Sequence, residues 1–166
     1  MAAALAPALS IVVVTHNALP YCRVLFSSLR RTRGVEFETI VVDNASQPAT
    51  RRYLTRRQRR GDISTLCLRP DNVLFARACN LGASLSDPQS AHVLLLNPDV
   101  EIRDPAWLTT LLEAHDGGAT GYGRLTDEAR ARTDGYCLLV DRDVLLDHPL
   151  GAARWPGSSA WRPGWT

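Results

Sequence analysis

Short apolar runs alternate with longer amphipathic stretches along this chain. The runs at residues 9–14 (LSIVVV), 37–42 (FETIVV), 63–68, 91–96 and 135–140 (GYCLLV) are unbroken enough to be strands covered on both faces. Between them, residues 20–31, 48–60 and 75–85 carry helical spacing. Val24, Leu25, Ser28 and Leu29 form a stripe on the first of these helices, and Leu81 and Leu85 sit four apart on the third. Pro20 and Pro48 suit first helical turns, Gly34 and Gly61 close the helices before them, and Asn17 or its loop is a candidate cap. Asp104 followed by Pro105 predicts a cap and first turn for a further helix that runs to 115. Residues 117–123 read as loop and 142–146 as a short helical segment. Strand–helix alternation at this spacing predicts βαβ units, hence an α/β, Rossmann-like fold with a mainly parallel sheet and helices on both faces. One domain is expected over residues 1–150. Residues 151–166, GAARWPGSSAWRPGWT, are rich in Gly, Pro and Trp without periodicity and read as a separate C-terminal tail.

Composition narrows the function classes. A length of 166 residues with 45% apolar and 22% charged content fits one soluble globular domain. The net charge of +2 offers no general argument for nucleic acid. All 19 basic residues are arginine, which reads as compositional bias. Six of them, Arg51, Arg52, Arg56, Arg57, Arg59 and Arg60, fall on the helix predicted at 48–60. They are either a solvated face or a contact for an anionic membrane surface or acidic partner. Aromatic interleaving is too sparse there for nucleic-acid binding. The four cysteines are scattered with no CxxC pair, which fits reduced thiols better than a disulfide framework or a cysteine zinc site. The start, MAAALAPALS, lacks a basic region and reads as a tail, not a signal peptide. No stretch reaches the length of a membrane span. A cytoplasmic protein is expected, with the arginine helix as a point of peripheral contact with the inner membrane face.

The candidate chemistry collects at strand ends. Thr15-His16-Asn17, Asp43-Asn44 and Asn97-Pro98-Asp99 each follow an apolar run, and the helix at 75–85 carries Arg77 and Asn80. The carboxyl ends of parallel strands share one edge, so these residues are expected to converge on one crevice as cofactor-binding groups. Asp43 can accept bonds from an imide N–H or from ribose hydroxyls, and Arg77 can neutralise a phosphate. Asp99 can hold a divalent cation against a diphosphate. That inventory suits a nucleoside diphosphate ligand. Blander readings stay open: turns at Asp43-Asn44 and at Asn97-Pro98-Asp99, a solvated His16, and an Arg77 on an outer helix face. There is no GxGxxG or GxxxxGK[ST] loop, which argues against a dehydrogenase or P-loop enzyme.

Taken in order, SIVVVTHNALPYCRVLFSSL, TIVVDNAS, DNVLFARACNLG and HVLLLNPDV resemble glycosyltransferase family 2, the inverting GT-A group, and most closely its rhamnosyltransferase-like branch. The resemblance spans residues 9–144. It implies the GT-A fold, a UDP- or dTDP-sugar donor, a Mn²⁺ or Mg²⁺ ion, and a glycan, lipid-linked or small-molecule acceptor, as in cell-envelope polysaccharide synthesis. By carry-over, Thr15 and Asn17 lie beside the nucleotide, Asp43 contacts base or ribose, and Arg77 lies near the diphosphate. Asp99 is the metal ligand of the DXD-like motif, and Asn97 stands where its first Asp is usual. The sequence departs from the family at Leu74, where Gly is usual, in a short stretch from 100 to 134, and at the general base. The segment expected to carry that base reads HPLGAARWPGSSAWRPGWT and has no acidic residue, yet inverting transfer needs a group to take the acceptor proton. The remaining acids are Asp134, Asp141, Asp143 and Asp147. Asp134 precedes a buried strand and Asp147 lies nearest the missing segment, so these two are the catalytic candidates. The alternative is a nucleotide-sugar-binding module that needs a second copy or a partner subunit for transfer. A nucleotidyltransferase would want a basic, Gly-rich loop after the first strand, which THNALPYC is not.

Overall fold

The structure, a computed structural model, describes residues 7–125 and 131–151; residues 122–125 and 131–135 are described by their backbone alone. Its elements run β1 (Leu9–Thr15), α1 (Leu19–Leu29), β2 (Phe37–Asn44), α2 (Pro48–Arg59), β3 (Thr65–Arg69), α3 (Phe75–Ser84), β4 (His92–Leu96), α4 (Trp107–Glu113), β5 (Ala119–Leu125), β6 (Ala131–Asp141) and α5 (Arg142–Asp147). They form one sheet in the order β3-β2-β1-β4-β6-β5. The first four strands are mutually parallel, while β6 runs antiparallel to β4 and to β5. The expected α/β layering with a mainly parallel sheet is therefore what the chain adopts.

Alternation along the strands explains why the apolar runs are unbroken. Leu9, Ile11 and Val13 of β1 point into one core with Leu25, Phe26 and Leu29 of α1, Leu54 of α2 and Leu108 of α4. Val12 and Val14 point to the other face, against Ala78, Cys79 and Ala83 of α3 and Leu145 of α5. With both faces covered, a polar residue in mid-strand is desolvated unless it finds a partner, so hydrophobic residues fill most positions, and the buried Ser10 of β1 is hydrogen-bonded to Glu38 and Ser90.

The structure corrects the sequence reading at several points. The stretch expected as loop at 117–123 enters β5, which pairs with β6 through a register shift between Gly121 and Gly123. Its glycines weaken the strand signal, and pairing with its neighbour overrides them. The α4 helix begins at Trp107, not directly after Asp104. Asp104 instead closes a turn, its Oδ1 accepting from the Ala106 N–H at 2.9 Å and its carbonyl from the Trp107 N–H at 3.3 Å. No side chain caps α1, because Asn17 Oδ1 accepts from the Gln47 N–H at 2.7 Å. The Leu81–Leu85 pair is not the core stripe of α3: Leu85 is 39% exposed, and the small residues Ala78, Cys79, Gly82 and Ala83 face the sheet. A Cβ on Gly82 would lie 2.3 Å from Val12 Cγ1, so this helix seats directly on β1. That close approach fixes where the first turn of α3 stands above the carboxyl ends of the strands.

Candidate functional site

The carboxyl ends of β1, β2 and β4 open onto a cleft of about 470 Å³. Val14, His16 and Tyr21 line it from the first βα connection, Asn44 and Asn72 from the second and third, Leu74 and Phe75 from the start of α3, and Asn97, Pro98 and Asp99 from beyond β4. Pro98 ends β4 because it cannot donate to a ladder. The Asn97 N–H still donates to the Tyr136 carbonyl of β6 at 2.8 Å, so the turn springs from a braced position. Asp99 is exposed. Tyr21, Leu74 and Phe75 are exposed at 57%, 71% and 43%, an apolar lip on a polar floor.

Side-chain bonds zip the loops of this edge together. His16 Nδ1 lies 2.6 Å from the Asn44 carbonyl oxygen, the Asn17 N–H donates to Ser46 Oγ at 2.8 Å, and Asn17 Oδ1 receives the Gln47 N–H. Asn44 donates through Nδ2 to Asn72 Oδ1 at 2.7 Å and accepts the Val73 N–H at 2.8 Å. Among the described residues, the three non-glycines with positive φ all belong to this edge: Asn17 at 53°, Ala45 at 62° and Leu74 at 69°. Leu74 also has ψ 167°, a region populated almost only by glycine. Strained residues of this kind cost about 1–3 kcal/mol each and collect where geometry serves a ligand.

Thr15 and Asp43 face the other side of the sheet. Thr15 is buried, with Oγ1 3.4 Å from the Cys22 sulfur. Asp43 is fully buried; its Oδ2 accepts from Arg51 Nε at 2.9 Å and from the Ser46 N–H at 3.2 Å. Arg51 also reaches the Arg69 carbonyl, so Asp43 anchors α2 to the tips of β2 and β3. The second oxygen of Asp43 has no partner among the described residues, although a buried carboxylate oxygen normally finds a donor. Burial pushes the Cys22 thiol up, and the Asp43 carboxylate adds to that.

Other candidates lie elsewhere. Arg77 is exposed on α3 and does not line the cleft. The amide of Asn80 is taken up by Leu150, donating to its carbonyl at 3.0 Å and accepting its N–H at 2.9 Å, which ties α3 to the chain beyond α5. Asp147 and Asp143 are exposed on α5, away from the cleft lining. Asp141 stands at the opposite edge, opposite His92 in the β4–β6 pairing. The backbone of Asp134 lies on β6 beyond Tyr136, on the cleft side of the sheet; its side chain lies outside the described residues, as do those of the expected tail from 152 onward. The arginine helix divides in the same way. Arg51 and Arg57 are held in internal pairs with Asp43 and Asp62, while Arg52, Arg56, Arg59 and Arg60 are exposed. Reasoning from the sequence missed Tyr21, Asn72 and Phe75 as lining residues. The signal available was an aromatic or amide residue just past a strand end, which is weak unless the loops are known to meet.

The donor set of the cleft fits a hard divalent ion. Asp99 and Asn97 supply oxygens in an open site, which suits Mg²⁺ or Mn²⁺ bound together with a phosphate-bearing ligand. A cysteine-rich site would have selected a softer metal; the described thiols are elsewhere, and burial pushes Cys79 and Cys137 up to about 12.

Comparison with known proteins agrees with this geometry. A sequence model of Glycosyl transferase family 2 matches residues 10–134. No curated protein matches the chain. Among solved structures, the mannosyltransferase PcManGT from Pyrobaculum calidifontis, in complex with GDP-Man and Mn²⁺, superposes with a TM-score of 0.70 at 19% identity over 84% of this chain and 46% of that one. S. aureus TarS 1-349 in complex with UDP-GlcNAc gives 0.65 at 16% identity, over 84% and 46%. A 4-diphosphocytidyl-2C-methyl-D-erythritol synthase from Anaerococcus prevotii gives 0.59 at 11% identity, over 84% and 72%. The chain thus spans less than half the length of the first two.

Proposed function

The chain belongs to glycosyl transferase family 2 and has the GT-A fold, and from that premise we propose that it transfers a sugar from a nucleoside-diphosphate donor with inversion, aided by a divalent metal. The observation that carries the reading is the cleft itself: a braced Asn97-Pro98-Asp99 turn faces His16 and Asn44 across strained loops at the carboxyl edge of a parallel sheet. Open α/β sheets bind ligands at that edge. In this reading Asp99, with Asn97 beside it, holds Mn²⁺ or Mg²⁺, and the bound ion offsets the charge of the leaving diphosphate. Asp43, expected from the sequence to read the nucleoside, is buried on the face away from the cleft; its oxygen without a partner among the described residues would accept from a nucleoside only after the loop at 45–47 rearranged. Tyr21 and Phe75 offer aromatic faces at the lip for a base or sugar ring. UDP- and dTDP-sugars are the first donors to test, the latter favoured by the likeness to the rhamnosyltransferase-like branch. A glycan or lipid-linked acceptor of the cell envelope suits the exposed arginines of α2, which would rest on the anionic inner face of a membrane. No described helix is long and apolar enough to cross one.

One observation favours a second reading, a donor-binding module completed by a partner subunit. Among the described side chains that line the cleft, Asp99 is the sole carboxylate. If Asp99 serves the metal, the proton of the acceptor hydroxyl must go to another group. Asp134 is the candidate in this chain, from its backbone position. Both readings share the donor site, so one experiment orders them. The purified chain is warmed with UDP-, dTDP- and GDP-sugars, with and without Mn²⁺, and donor turnover is then followed. Metal-dependent thermal stabilisation by at least one nucleotide-sugar is expected under both readings. Acceptor transfer that Asp134→Asn removes supports the enzyme, and binding without transfer supports the module. No stabilisation by any of these nucleotides would contradict both.

A further inference from the structure

The amino-terminal edge of the sheet carries a second polar cluster, independent of the cleft. His92 is the first residue of β4, His115 follows α4, and Asp141 ends β6. His115 Nε2 lies 2.9 Å and His92 Nε2 3.5 Å from the same oxygen, Asp141 Oδ1. The two rings stand edge to face at 89° with centroids 5.0 Å apart. All three donor atoms lie within 4.8 Å of one another.

From these residues we propose a second metal site, a His92–His115–Asp141 centre for Zn²⁺ or another imidazole-preferring transition ion. Two nitrogens and one oxygen are a donor set for such a metal, and not for the hard ions suited to the cleft. Bond lengths of about 2.0–2.1 Å at a tetrahedral angle put ligand atoms about 3.3 Å apart, and the observed 2.9 and 3.5 Å lie on either side of that value. The groups behind the ligands are in place as well. His115 Nδ1 is 2.9 Å from Thr120 Oγ1, and Asp141 Oδ2 accepts the Gly118 N–H at 2.9 Å. Partners of this kind fix the ring orientation of metal-bound histidines and hold ligating carboxylates. His115 is nearly buried, while the side chains of His92 and Asp141 are 24% and 34% exposed, which leaves an open side for entry and for a water as fourth ligand.

The position assigns a structural role. The ligands come from the start of β4, the connection from α4 to β5, and the junction of β6 with α5, so one ion would clip the antiparallel half of the sheet to the parallel half. His92 lies five residues before Asn97 on the same chain, about 16 Å away along a strand. The site is therefore too far from the cleft to touch a donor diphosphate.

The test uses the whole chain, stripped of metal, with Zn²⁺ titrated against a chromophoric chelator and Co²⁺ followed by visible absorption. The proposal expects one Zn²⁺ per chain, a rise in thermal midpoint, and the absorption of tetrahedral Co²⁺. His92→Gln and His115→Gln should each lower Zn²⁺ affinity at least tenfold, and Thr120→Val should lower it about tenfold through ring orientation. Asp99→Ala should keep it. Should His115→Gln fail to fold, the partly exposed His92→Gln carries the comparison alone. Zn²⁺ affinity unchanged in His92→Gln, or lost in Asp99→Ala, would overturn the assignment, as would the absence of any binding. None of these results depends on whether the cleft binds a nucleotide-sugar.

Discussion

The two ends of β4 carry polar clusters of opposite character. At the carboxyl end, Asp99 is exposed at the cleft and the surrounding loops are held at positive φ. At the amino end, Asp141 is hydrogen-bonded by His115 and by the Gly118 N–H, and its carboxyl sits below the usual range, chiefly because of His115. One end is strained and open; the other is braced by its own neighbours. The difference teaches which kind of ligand each end suits. Polar groups already held together by their neighbours suit an ion that ties elements together, whereas a carboxylate set in an open cleft at a strand end is available to an exchanging ligand.

Asp43 is the exception that can break this comparison, since it lies at the carboxyl end and yet is buried and paired. Asp43→Ala leaves Arg51 and the Ser46 N–H without their acceptor and should cost about 1–3 kcal/mol in chemical denaturation. Asp43→Asn keeps the size and loses the charge. If Asp43 also reads the nucleoside, Asp43→Asn should weaken UDP or dTDP and the corresponding nucleotide-sugar by similar factors in calorimetry. A loss confined to the sugar-bearing donor would remove Asp43 from nucleoside recognition and leave it as an anchor for α2.

Leu74 sharpens the comparison on a smaller scale. Its side chain is 71% exposed, so little burial offsets the cost of its glycine-like backbone. Leu74→Gly should raise stability by about 1 kcal/mol, read as a higher denaturation midpoint. It should also lower donor affinity if the leucine serves as part of the lip. A fall in stability would show that the loop is not strained in the way its φ and ψ indicate.

Legibility in the sequence followed the same division. The cleft was readable because its parts are local: each apolar run ends in its own polar tip, and parallel strands bring the tips to one edge. Asn97-Pro98-Asp99 could thus be placed from residues 91–103 with the alternation of elements. The amino-end cluster was not readable, because His92, His115 and Asp141 sit 23 and 26 residues apart with no motif spacing between them. Their meeting depends on β6 running antiparallel to β4 and on β5, the strand whose glycines read as loop. Asp141 could be weighed as a base from sequence only because its edge was unknown. The helix α3 shows a related limit. Its visible leucines suggested a stripe, but Gly82 against Val12 decides its seat, and a missing side chain leaves no hydrophobic signal. The arginines of α2 looked alike in the sequence and divide only when Asp43 and Asp62 are seen to hold two of them.

The central claim is that Asp99 makes the carboxyl-end cleft a metal-dependent nucleotide-sugar site. Isothermal titration of the nucleotide-sugar that best stabilises the chain, with and without Mn²⁺, in the native chain and in Asp99→Ala, addresses it directly. Asp99 is exposed, so its removal should leave the thermal midpoint of the free protein nearly unchanged. The account predicts Mn²⁺-dependent binding in the native chain and loss of that dependence in the variant, with affinity lower by at least about tenfold, or 1.4 kcal/mol. Equal Mn²⁺-dependent affinity in the two proteins would contradict it.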